Sequence, residues 1–358
     1  MTILVRSKIR PDVLKLADQL QERQMKIILK FLSQKENQSM NFPSLWKKVM
    51  DGNERFFKAT SEKEVEELFN LVTDDEALFL SKMLRFAFEE SANIDQKETP
   101  IPKNVVIEKI KIGSIPAEWQ TAPSAKKENV LLYFHGGGMI MGSPNSHRLL
   151  TVALGQAIKM RVLSVDYRLA PEYPFPAGLE DCVAAYKWLL STGFKPENII
   201  IAGDSAGGYY TLTTLIQLRD AGIDLPTGAF CLAPATDFST IDDEFLQNGE
   251  TDPILADIGL FWWIPAYVAS ADRSNPLISP ALADLKRLPP ILIQASKSEM
   301  LYSHAKRFYD QAQKAGVDIT LQTWDDMVHV FQGFGLNVLP EAKEAIEKIK
   351  QFVQKLIH

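Results

Sequence analysis

One serine in this chain of 358 residues has the neighbours that a nucleophile requires. Ser205 stands between Gly203 and Gly207 in the stretch IIIAGDSAGGYY, residues 199–210. In a sharp turn from a strand into a helix, the residues two before and two after the apex approach so closely that side chains would clash. The pattern G-x-S-x-G removes those side chains and projects the serine oxygen above the sheet. It predicts nucleophilic acyl transfer, and a glycine-rich turn with an ordinary helix-capping serine is the structural alternative.

A second motif supplies candidate hydrogen-bond donors. Gly136, Gly137 and Gly138 follow an apolar run in the stretch FHGGGM. Without Cβ atoms, their backbone N–H groups can approach a substrate closely. We expect Gly137 and Gly138, together with Ala206, to form an oxyanion hole, while Gly136 belongs to the turn. We expect the ring of His135 to hold the glycine loop in shape and not to act as a base.

Alternating strands and helices are predicted to position these residues. Six short apolar, β-rich runs are candidate strands: 129–135, 161–167, 198–204, 228–234, 290–296 and 319–324. The helical candidates are 146–158, 177–192, 206–221, 302–315 and a final segment, EAKEAIEKIKQFVQKL. The continuous apolarity of several runs is typical of strands that are covered on both faces. The alternation predicts βαβ units and an α/β fold with a mostly parallel sheet.

Two regions fall outside this alternation. Residues 1–95 carry apolar positions at helical spacing among charges, with no convincing strand. The polar stretch 91–104, which contains two prolines, is predicted to be a linker. Residues 236–288 also hold no clear strand and are predicted to be an insertion over the sheet. We therefore expect an N-terminal helical segment, 1–95, followed by a unit over 96–358 that contains the sheet.

Three motifs together resemble those of the hormone-sensitive-lipase-like family of α/β-hydrolases, which includes many bacterial carboxylesterases. In chain order they are HGGG (135–138), DYRLAPEYPFPA (166–177) and GDSAGG (203–208). Gly203, Asp204 and Gly207 belong to the third motif and support the nucleophile turn. The resemblance covers most of residues 105–358. It implies an α/β-hydrolase sheet with a helical cap built from the N-terminal segment and the insertion.

The resemblance also implies a catalytic triad in the chain order serine, acid, histidine, so the base follows Ser205. His329 follows the candidate strand 319–324 through the loop DDMVH and precedes FQGF. This stretch is similar to the family pattern D-G-M-x-H-x-F, although the glycine is absent and an aspartate pair stands in its region. His304, in the first turn of a predicted helix, is expected to be solvated, and His358 is the C-terminal residue. We predict that His329 is the base.

Two acids compete for the third triad position. Many relatives carry Asp-Pro-Leu after the seventh strand, and Asp252-Pro253-Ile254 matches that tripeptide in part. Asp252, however, lies inside the insertion and follows no strand. Glu299 follows the run ILIQAS at the place of the family aspartate, and some members of the family have glutamate there. We predict that Glu299 orients His329 and stabilises its imidazolium, and a surface glutamate near a helix start is the alternative.

These residues predict a serine carboxylesterase that forms an acyl-enzyme intermediate. The resemblance implies a preference for short- or medium-chain acyl esters, set by the cap. Phe261, Trp262 and Trp263 are candidates to line the substrate pocket, and the alternative is that they form the core of the cap. The sequence leaves both alternatives open.

Composition limits the other functions. A formal net charge of −6 argues against nucleic-acid binding, and no apolar run approaches the ~20 residues needed to span a bilayer. The N-terminal stretch lacks the apolar core of a secretory signal, and the only two cysteines lie in apolar stretches, so we expect a cytoplasmic protein. The five histidines lack metal-ligand spacing, and no metal or other cofactor is expected. A homodimer through an edge strand or the cap is compatible with the sequence.

Three other functions are compatible with the same fold. The triad also suits an amidase or deacetylase. The fold serves as a small-molecule receptor in the plant gibberellin receptor, which resembles this family but lacks a working triad histidine. A scaffold protein is the third alternative. Fold alone does not separate these functions, whereas the reactivity of Ser205 does.

Overall fold

Helices make up the N-terminal part of the chain. In the computed structural model, which describes residues 4–256, 259–334, 336 and 338–357, they are α1 (Pro11–Leu32), α2 (Phe42–Lys58), α3 (Glu62–Phe69) and α4 (Asp74–Glu98). Side chains of Asn41, Ser61 and Thr73 accept N–H groups at the starts of α2, α3 and α4. The helices predicted from apolar spacing are therefore present.

The predicted linker over 91–104 is wrong for its first part, because α4 continues to Glu98. Ala92 extends the buried face that includes Leu80 and Ala87, so packing holds this polar stretch in the helix. The helix ends just before Pro100, where the residue preceding a proline is disfavoured in helical conformation.

One sheet forms the centre of the molecule. Its strands are β1 (Val106–Ile112), β2 (Ile115–Thr121), β3 (Lys126–Phe134), β4 (Met160–Val165), β5 (Ile199–Asp204), β6 (Gly228–Leu232), β7 (Ile291–Ser296) and β8 (Ile319–Trp324). Within the described residues, these eight strands have the order β1-β2-β4-β3-β5-β6-β7-β8. β2 pairs antiparallel with both β1 and β4, and the other neighbours are parallel.

Strands β3 to β8 correspond to the six predicted runs, whereas β1 and β2 were not predicted. β1, VIEKIKI, lies at the sheet edge and is largely exposed, and β2, IPAEWQT, contains a proline and a glutamate, so neither has the continuous apolarity of a central strand. In β3, by contrast, Leu132 and Phe134 face one apolar core while Leu131 and Tyr133 face the other. The central strands are therefore buried on both faces, as predicted.

The remaining helices cover the sheet or follow its loops. They are α5 (Arg148–Ile158), α6 (Ala177–Ser191), α7 (Ala206–Asp220), α8 (Asp243–Asn248), α9 (Leu260–Val268), α10 (Tyr302–Lys314), α11 (Phe331–Phe334) and α12 (Pro340–Leu356). Five of them match the predicted segments to within a few residues. Over the described residues, every helix is too short or too polar to cross a membrane.

The insertion 236–288 carries α8 and α9 and, in its described residues, no strand. It packs on the N-terminal helices. A Cβ atom on Gly52 of α2 would lie 2.5 Å from the ring of Phe261 in α9, so glycine is needed for this close approach. Asn53 also donates to the carbonyl of Ala256 at 2.6 Å. We call α1–α4 together with the insertion the helical layer.

Arg85 in α4 joins the helical layer to the loops above the sheet. Its guanidinium donates to the carbonyl oxygens of Ile140 and Ala170, both at 2.6 Å, and pairs with Glu172 at 2.7 Å. Ile140 lies two residues after the last glycine of the HGGG motif. The helical layer is thereby fixed to the loop that carries the candidate oxyanion donors.

Candidate active site

Ser205 lies at the junction of β5 and α7, in a strained turn. Its backbone has φ 53° and ψ −114°, a conformation that few non-glycine residues adopt. A Cβ atom on Gly203 would lie 2.3 Å from the carbonyl carbon of Gly207, and one on Gly207 would lie 1.9 Å from the carbonyl oxygen of Phe134. Both glycines are therefore required by the close packing of the turn on β3, for the reason that the sequence pattern suggested.

The structure brings His329 and Glu299 together beneath the loops that follow β7 and β8. The Nδ1 atom of His329 is hydrogen-bonded to Oε2 of Glu299, and Oε1 of Glu299 accepts the N–H of Ser296 at 2.7 Å. Because a carboxylate oxygen accepts, Nδ1 carries the proton, and Nε2 is left as the basic atom. This is the tautomer that a general base beside a serine requires.

Both members of this pair are buried, with 1% of Glu299 and 4% of His329 exposed. Burial lowers the pKa of His329, but the charge of Glu299 and its hydrogen bond outweigh burial, so the pKa is raised above the ordinary value of 6.5. Burial raises the pKa of Glu299, and the nearby imidazole opposes that effect. The site therefore favours an imidazolium at His329 once a proton has been taken up.

The insertion holds the loop that carries Glu299. Asn248 donates to the carbonyl of Glu299 at 2.9 Å, and Thr251 donates to the carbonyl of Ser298 at 2.9 Å. Asp252, the competing acid, accepts the N–H of Met300 at 2.9 Å. Its other carboxylate oxygen accepts two N–H groups of the insertion itself. Asp252 is thus a buried support for the acid loop, and it is Glu299 that contacts His329.

The loop before His329 is fastened to the same acid loop. The N–H of Asp326 donates to Oγ of Ser298 at 3.1 Å, and the N–H of Met327 donates to Oγ of Ser296 at 3.2 Å. Asp326 has φ 57°, in the left-handed region that glycine and, less often, aspartate adopt. This accounts for an aspartate where the family pattern has glycine.

The glycine loop exposes N–H groups beside the serine. Gly137 and Gly138 have φ 116° and 60°, and a Cβ atom on Gly137 would lie 2.2 Å from the carbonyl oxygen of Met141. Gly137, Gly138 and Ala206 line the same cavity as Ser205 and His329. In the part of the chain that the structure describes, no protein acceptor takes the N–H groups of these three residues. They remain available for an oxyanion.

His135 packs inside the glycine loop. Its ring stacks on Tyr167 with 4.1 Å between centroids, and its Nδ1 lies 2.8 Å from the carbonyl oxygen of Gly136. Burial, with a contribution from His147, lowers the pKa of His135 to about 3. A neutral, enclosed ring fits the predicted structural role.

Comparisons with known proteins agree with this geometry. Residues 131–333 match the family described as alpha/beta hydrolase fold. The acetyl-hydrolase of Streptomyces hygroscopicus is 40% identical over 245 residues, which cover 68% of this chain and 81% of that protein. The esterase of Acinetobacter venetianus is 32% identical over 266 residues, which cover 74% and 87%. The crystal structure of an esterase from the bacterial hormone-sensitive lipase family matches with a TM-score of 0.73 and 37% identity, covering 88% of this chain and 99% of that one.

The chain belongs to the hormone-sensitive-lipase-like family of α/β-hydrolases. The fold and the family that the motifs indicated are confirmed. The hydrolase is a carboxylic ester hydrolase, as its relatives are. Because those relatives are named as enzymes, the comparisons favour catalysis over the receptor and scaffold alternatives.

The active-site cavity of this hydrolase has a volume of about 740 Å³ and is mainly apolar. Trp263 lines it, and the ring lies 3.7 Å from where a Cβ atom of Gly138 would be. Phe261 and Trp262 are not among the lining residues. Phe261 instead packs on α2, and the ring of Trp262 lies near Gly259. Trp263 therefore lies in the cavity wall and the other two side chains lie in the core, because consecutive helical residues point in different directions.

One expectation about the histidines is wrong. His304 is buried, not solvated, and its Nδ1 accepts the N–H groups of Thr236 and Asp237 at 3.1 and 3.3 Å. The sequence does not show that the loop at 236–237 covers the first turn of α10. His358 lies outside the described residues. His147, to which the sequence assigned no role, lies in the cavity wall of the hydrolase beside Asp204.

No cluster of three or more His, Cys, Asp or Glu side chains suited to a metal ion occurs among the described residues. Cys182 and Cys231, which lie in apolar stretches of the sequence, are both free and buried. The serine, the base and the three N–H groups all line the cavity of the hydrolase. This set is suited to acyl transfer.

Proposed function

We propose that this ester hydrolase acts through a triad of Ser205, His329 and Glu299. Nε2 of His329 takes the proton of the Ser205 hydroxyl as its oxygen attacks the ester carbonyl. His329 then gives that proton to the leaving alcohol, and an acyl-enzyme remains on Ser205. Water, deprotonated by His329, attacks the acyl carbon and releases the acid. Glu299 fixes the tautomer of the imidazole and stabilises the imidazolium.

The observation that carries this proposal is the buried contact of Glu299 with His329, which lines the same cavity as Ser205. The N–H groups of Gly137, Gly138 and Ala206 supply the oxyanion hole. The loss of one such donor typically lowers the rate by roughly 10²–10³. The same three donors serve both tetrahedral intermediates, because acylation and deacylation place the oxyanion at the same carbonyl carbon.

The substrate proposed is an ester with a short- to medium-chain acyl group. Trp263 lies beside Gly138 in the cavity wall, next to a proposed oxyanion donor. A relative of 40% identity is named an acetyl-hydrolase, which supports a small acyl group. Each further CH₂ of the acyl chain that the apolar cavity wall can bury makes the binding free energy more favourable by about 0.8 kcal/mol. The distance from the reacting carbonyl to the end of the cavity therefore sets the preferred chain length.

The helical layer is proposed to be the cap, with residues 1–95 and the insertion 236–288 over a catalytic domain that spans 96–358. Leu16 and Leu20 of α1 and Phe88 of α4 line the cavity together with Ile254 of the insertion. Both parts of the helical layer therefore face the substrate space. This supports a role in substrate selection.

The test is hydrolysis of p-nitrophenyl esters from acetyl to palmitoyl by the wild type and by Ser205→Ala and His329→Ala. We expect turnover to peak at short or medium chains and each variant to lose nearly all activity, because triad residues act as a unit. A fluorophosphonate probe should label the wild type and not Ser205→Ala. Full activity of Ser205→Ala, with the probe still bound, would contradict the proposal.

A further inference from the structure

A second histidine–carboxylate pair lies beside the nucleophile. Nε2 of His147 is 3.3 Å from Oδ2 of Asp204, the residue before Ser205, and their side chains are 10% and 4% exposed. Both residues line the catalytic cavity. The triad has no use for this pair, and a buried carboxylate next to the reacting atoms needs compensation.

The hydrogen-bond partners around His147 accommodate a proton on each ring nitrogen. Oγ of Ser146 donates its single hydrogen to the carbonyl of Ser143 at 2.9 Å and accepts the N–H of Ser143 at 2.8 Å. The same oxygen lies 2.9 Å from Nδ1 of His147, and while its hydrogen points to the carbonyl of Ser143 it has a lone pair for an Nδ1–H donor. Nε2 faces the carboxylate of Asp204, which only accepts. With a proton on each nitrogen, the ring is an imidazolium.

Asp204 organises the catalytic loops. Its Oδ1 accepts the hydroxyl of Tyr133 at 2.7 Å and the N–H of Gly136 at 3.0 Å. A Cβ atom on Gly136 would lie 2.2 Å from Oδ2, so the carboxylate is packed directly under the glycine loop. One side chain thus connects the turn of Ser205 to the loop of Gly137 and Gly138.

The charge of Asp204 also reaches the base. It is one of three carboxylates, with Glu299 and Asp252, that raise the pKa of His329 against the effect of burial. Glu299 is required to orient the imidazole, whereas additional negative charge holds His329 in the protonated form that cannot accept the serine proton. A cation on the Asp204 side would offset that additional charge.

We propose that His147 is a positioning residue that, as an imidazolium paired with Asp204, holds this carboxylate under the oxyanion loop and offsets its charge at His329. This inference rests on the proposed triad. The pair is net neutral, so His329 remains an effective base near neutral pH.

The surroundings of His147 support the cationic form. Two acids face the ring, Asp204 from the end of β5 and Glu89 from α4, and they raise the pKa of His147 although burial lowers it. His135, 5.5 Å away between ring centroids, is the other titratable neighbour, and its own pKa is lowered to about 3, so that ring is neutral. The charge that surrounds the ring is therefore negative, which favours the cationic form of His147.

The test compares the acidic limb of kcat/KM against pH for the wild type, His147→Gln and the double variant His147→Gln/Asp204→Asn. A p-nitrophenyl ester of short acyl chain, followed at the isosbestic wavelength of the product, is the substrate. In His147→Gln the limb should move to higher pH by about 0.5 unit or more, because Asp204 is no longer compensated. In the double variant the limb should return close to the wild-type position.

His304→Asn is the matched control, since it alters another buried histidine far along the chain and should leave the limb in place. A lower maximum for His147→Gln with an unchanged limb would show a purely structural residue and overturn the proposal. A limb that stays shifted in the double variant would also overturn it, because the charge of Asp204 would not be the cause.

A measurement on the wild type covers the case in which the variants do not fold. ¹⁵N NMR of the wild-type hydrolase, labelled with ¹⁵N in the histidine rings, should show both ring nitrogens of His147 protonated at pH 7. A neutral ring there would overturn the proposal. This spectrum does not depend on turnover, so failure of the triad assignment, seen as an active Ser205→Ala, is distinguished from failure of this inference.

Discussion

Two buried acids lie close to the base, and their contacts separate their roles. Glu299 accepts a hydrogen bond from Nδ1–H of His329. Asp252 is buried to the same degree, but its carboxylate accepts three backbone N–H groups, one from Met300 in the acid loop and two from the insertion. Asp252, which accepts backbone N–H groups, positions a loop. Glu299, which accepts from the imidazole, controls the tautomer of that ring.

We expect Glu299→Gln to lower kcat by roughly 10³–10⁴, because an amide that donates to Nδ1 would select the wrong imidazole tautomer. Asp252→Asn should lower kcat only about tenfold, since one of its oxygens remains an acceptor for the backbone. Steady-state kinetics on a short-chain ester, with near-UV circular dichroism as the control for folding, measures both. The acid assignment is wrong if Asp252→Asn is the inactive variant and Glu299→Gln remains active.

At the residue scale, the sequence predicted side chains whose roles follow from local pattern. The glycines around Ser205 and in the HGGG loop have backbone geometry that their motifs require, and His329 and Glu299 are in contact. The pairing of His147 with Asp204 was not predicted, because it joins residues 57 positions apart through a loop fold with no periodic signal. Burial of His304 depends on a distant loop for the same reason.

Helix α9 places neighbouring aromatic residues in different environments. Trp263, 8% exposed, faces the cavity, whereas Phe261 is fully buried against α2. The helical repeat of 100° per residue explains this division, which composition alone leaves open. The helix thus links the packing of the helical layer to the shape of the substrate space.

Trp263→Ala should move the chain-length preference toward longer acyl groups, because it removes a wall beside Gly138. The ratio of kcat/KM for octanoate over butyrate esters should rise by roughly tenfold, the equivalent of about two buried CH₂ groups. Phe261→Leu is the control in the same helix. It should lower the free energy of unfolding by about 1–2 kcal/mol and leave the preference unchanged. If the octanoate-to-butyrate ratio is unchanged in Trp263→Ala, the acyl group does not bind against Trp263.

At the element scale, continuous apolarity was sufficient to predict β3 to β8, and helical spacing was sufficient for the helices between them. β1 and β2 carry charges and a proline, and their pairing with β4 comes from tertiary contacts that a local pattern does not encode. The same holds for the last turns of α4, where the buried Ala92 outweighs a polar composition.

Across the whole molecule, the helical layer supports the site from two sides. Arg85 of α4 fixes the loop after the HGGG motif, and Asn248, Thr251 and Asp252 of the insertion fix the loop of Glu299. The distance in sequence between these parts means that the site is complete only when the entire chain has folded. Global stability therefore controls the geometry of the site, and stability in turn depends on buried titratable groups.

His304 makes the stability of the folded chain depend on pH. Burial lowers its pKa to about 4, and its Nδ1 accepts two backbone N–H groups, so protonation would break these contacts. Between pH 4 and the ordinary value of 6.5, the unfolded state binds more protons than the folded state. Stability therefore falls as the pH falls through this window, by about 3 kcal/mol for a fully buried group.

We expect His304→Asn to flatten this dependence, because asparagine keeps an acceptor near the position of Nδ1 and does not titrate. Asp166 provides a control of opposite sign. Burial, with Glu89 and Glu118 nearby, raises its pKa to about 6, so its neutral form favours the folded state at low pH and Asp166→Asn should steepen the loss. Melting temperatures at pH 7, 5.5 and 4.5 for both variants measure the slopes. Equal slopes for His304→Asn and the wild type would show that folding does not lower the pKa of this histidine, and the pH dependence would then come from other groups.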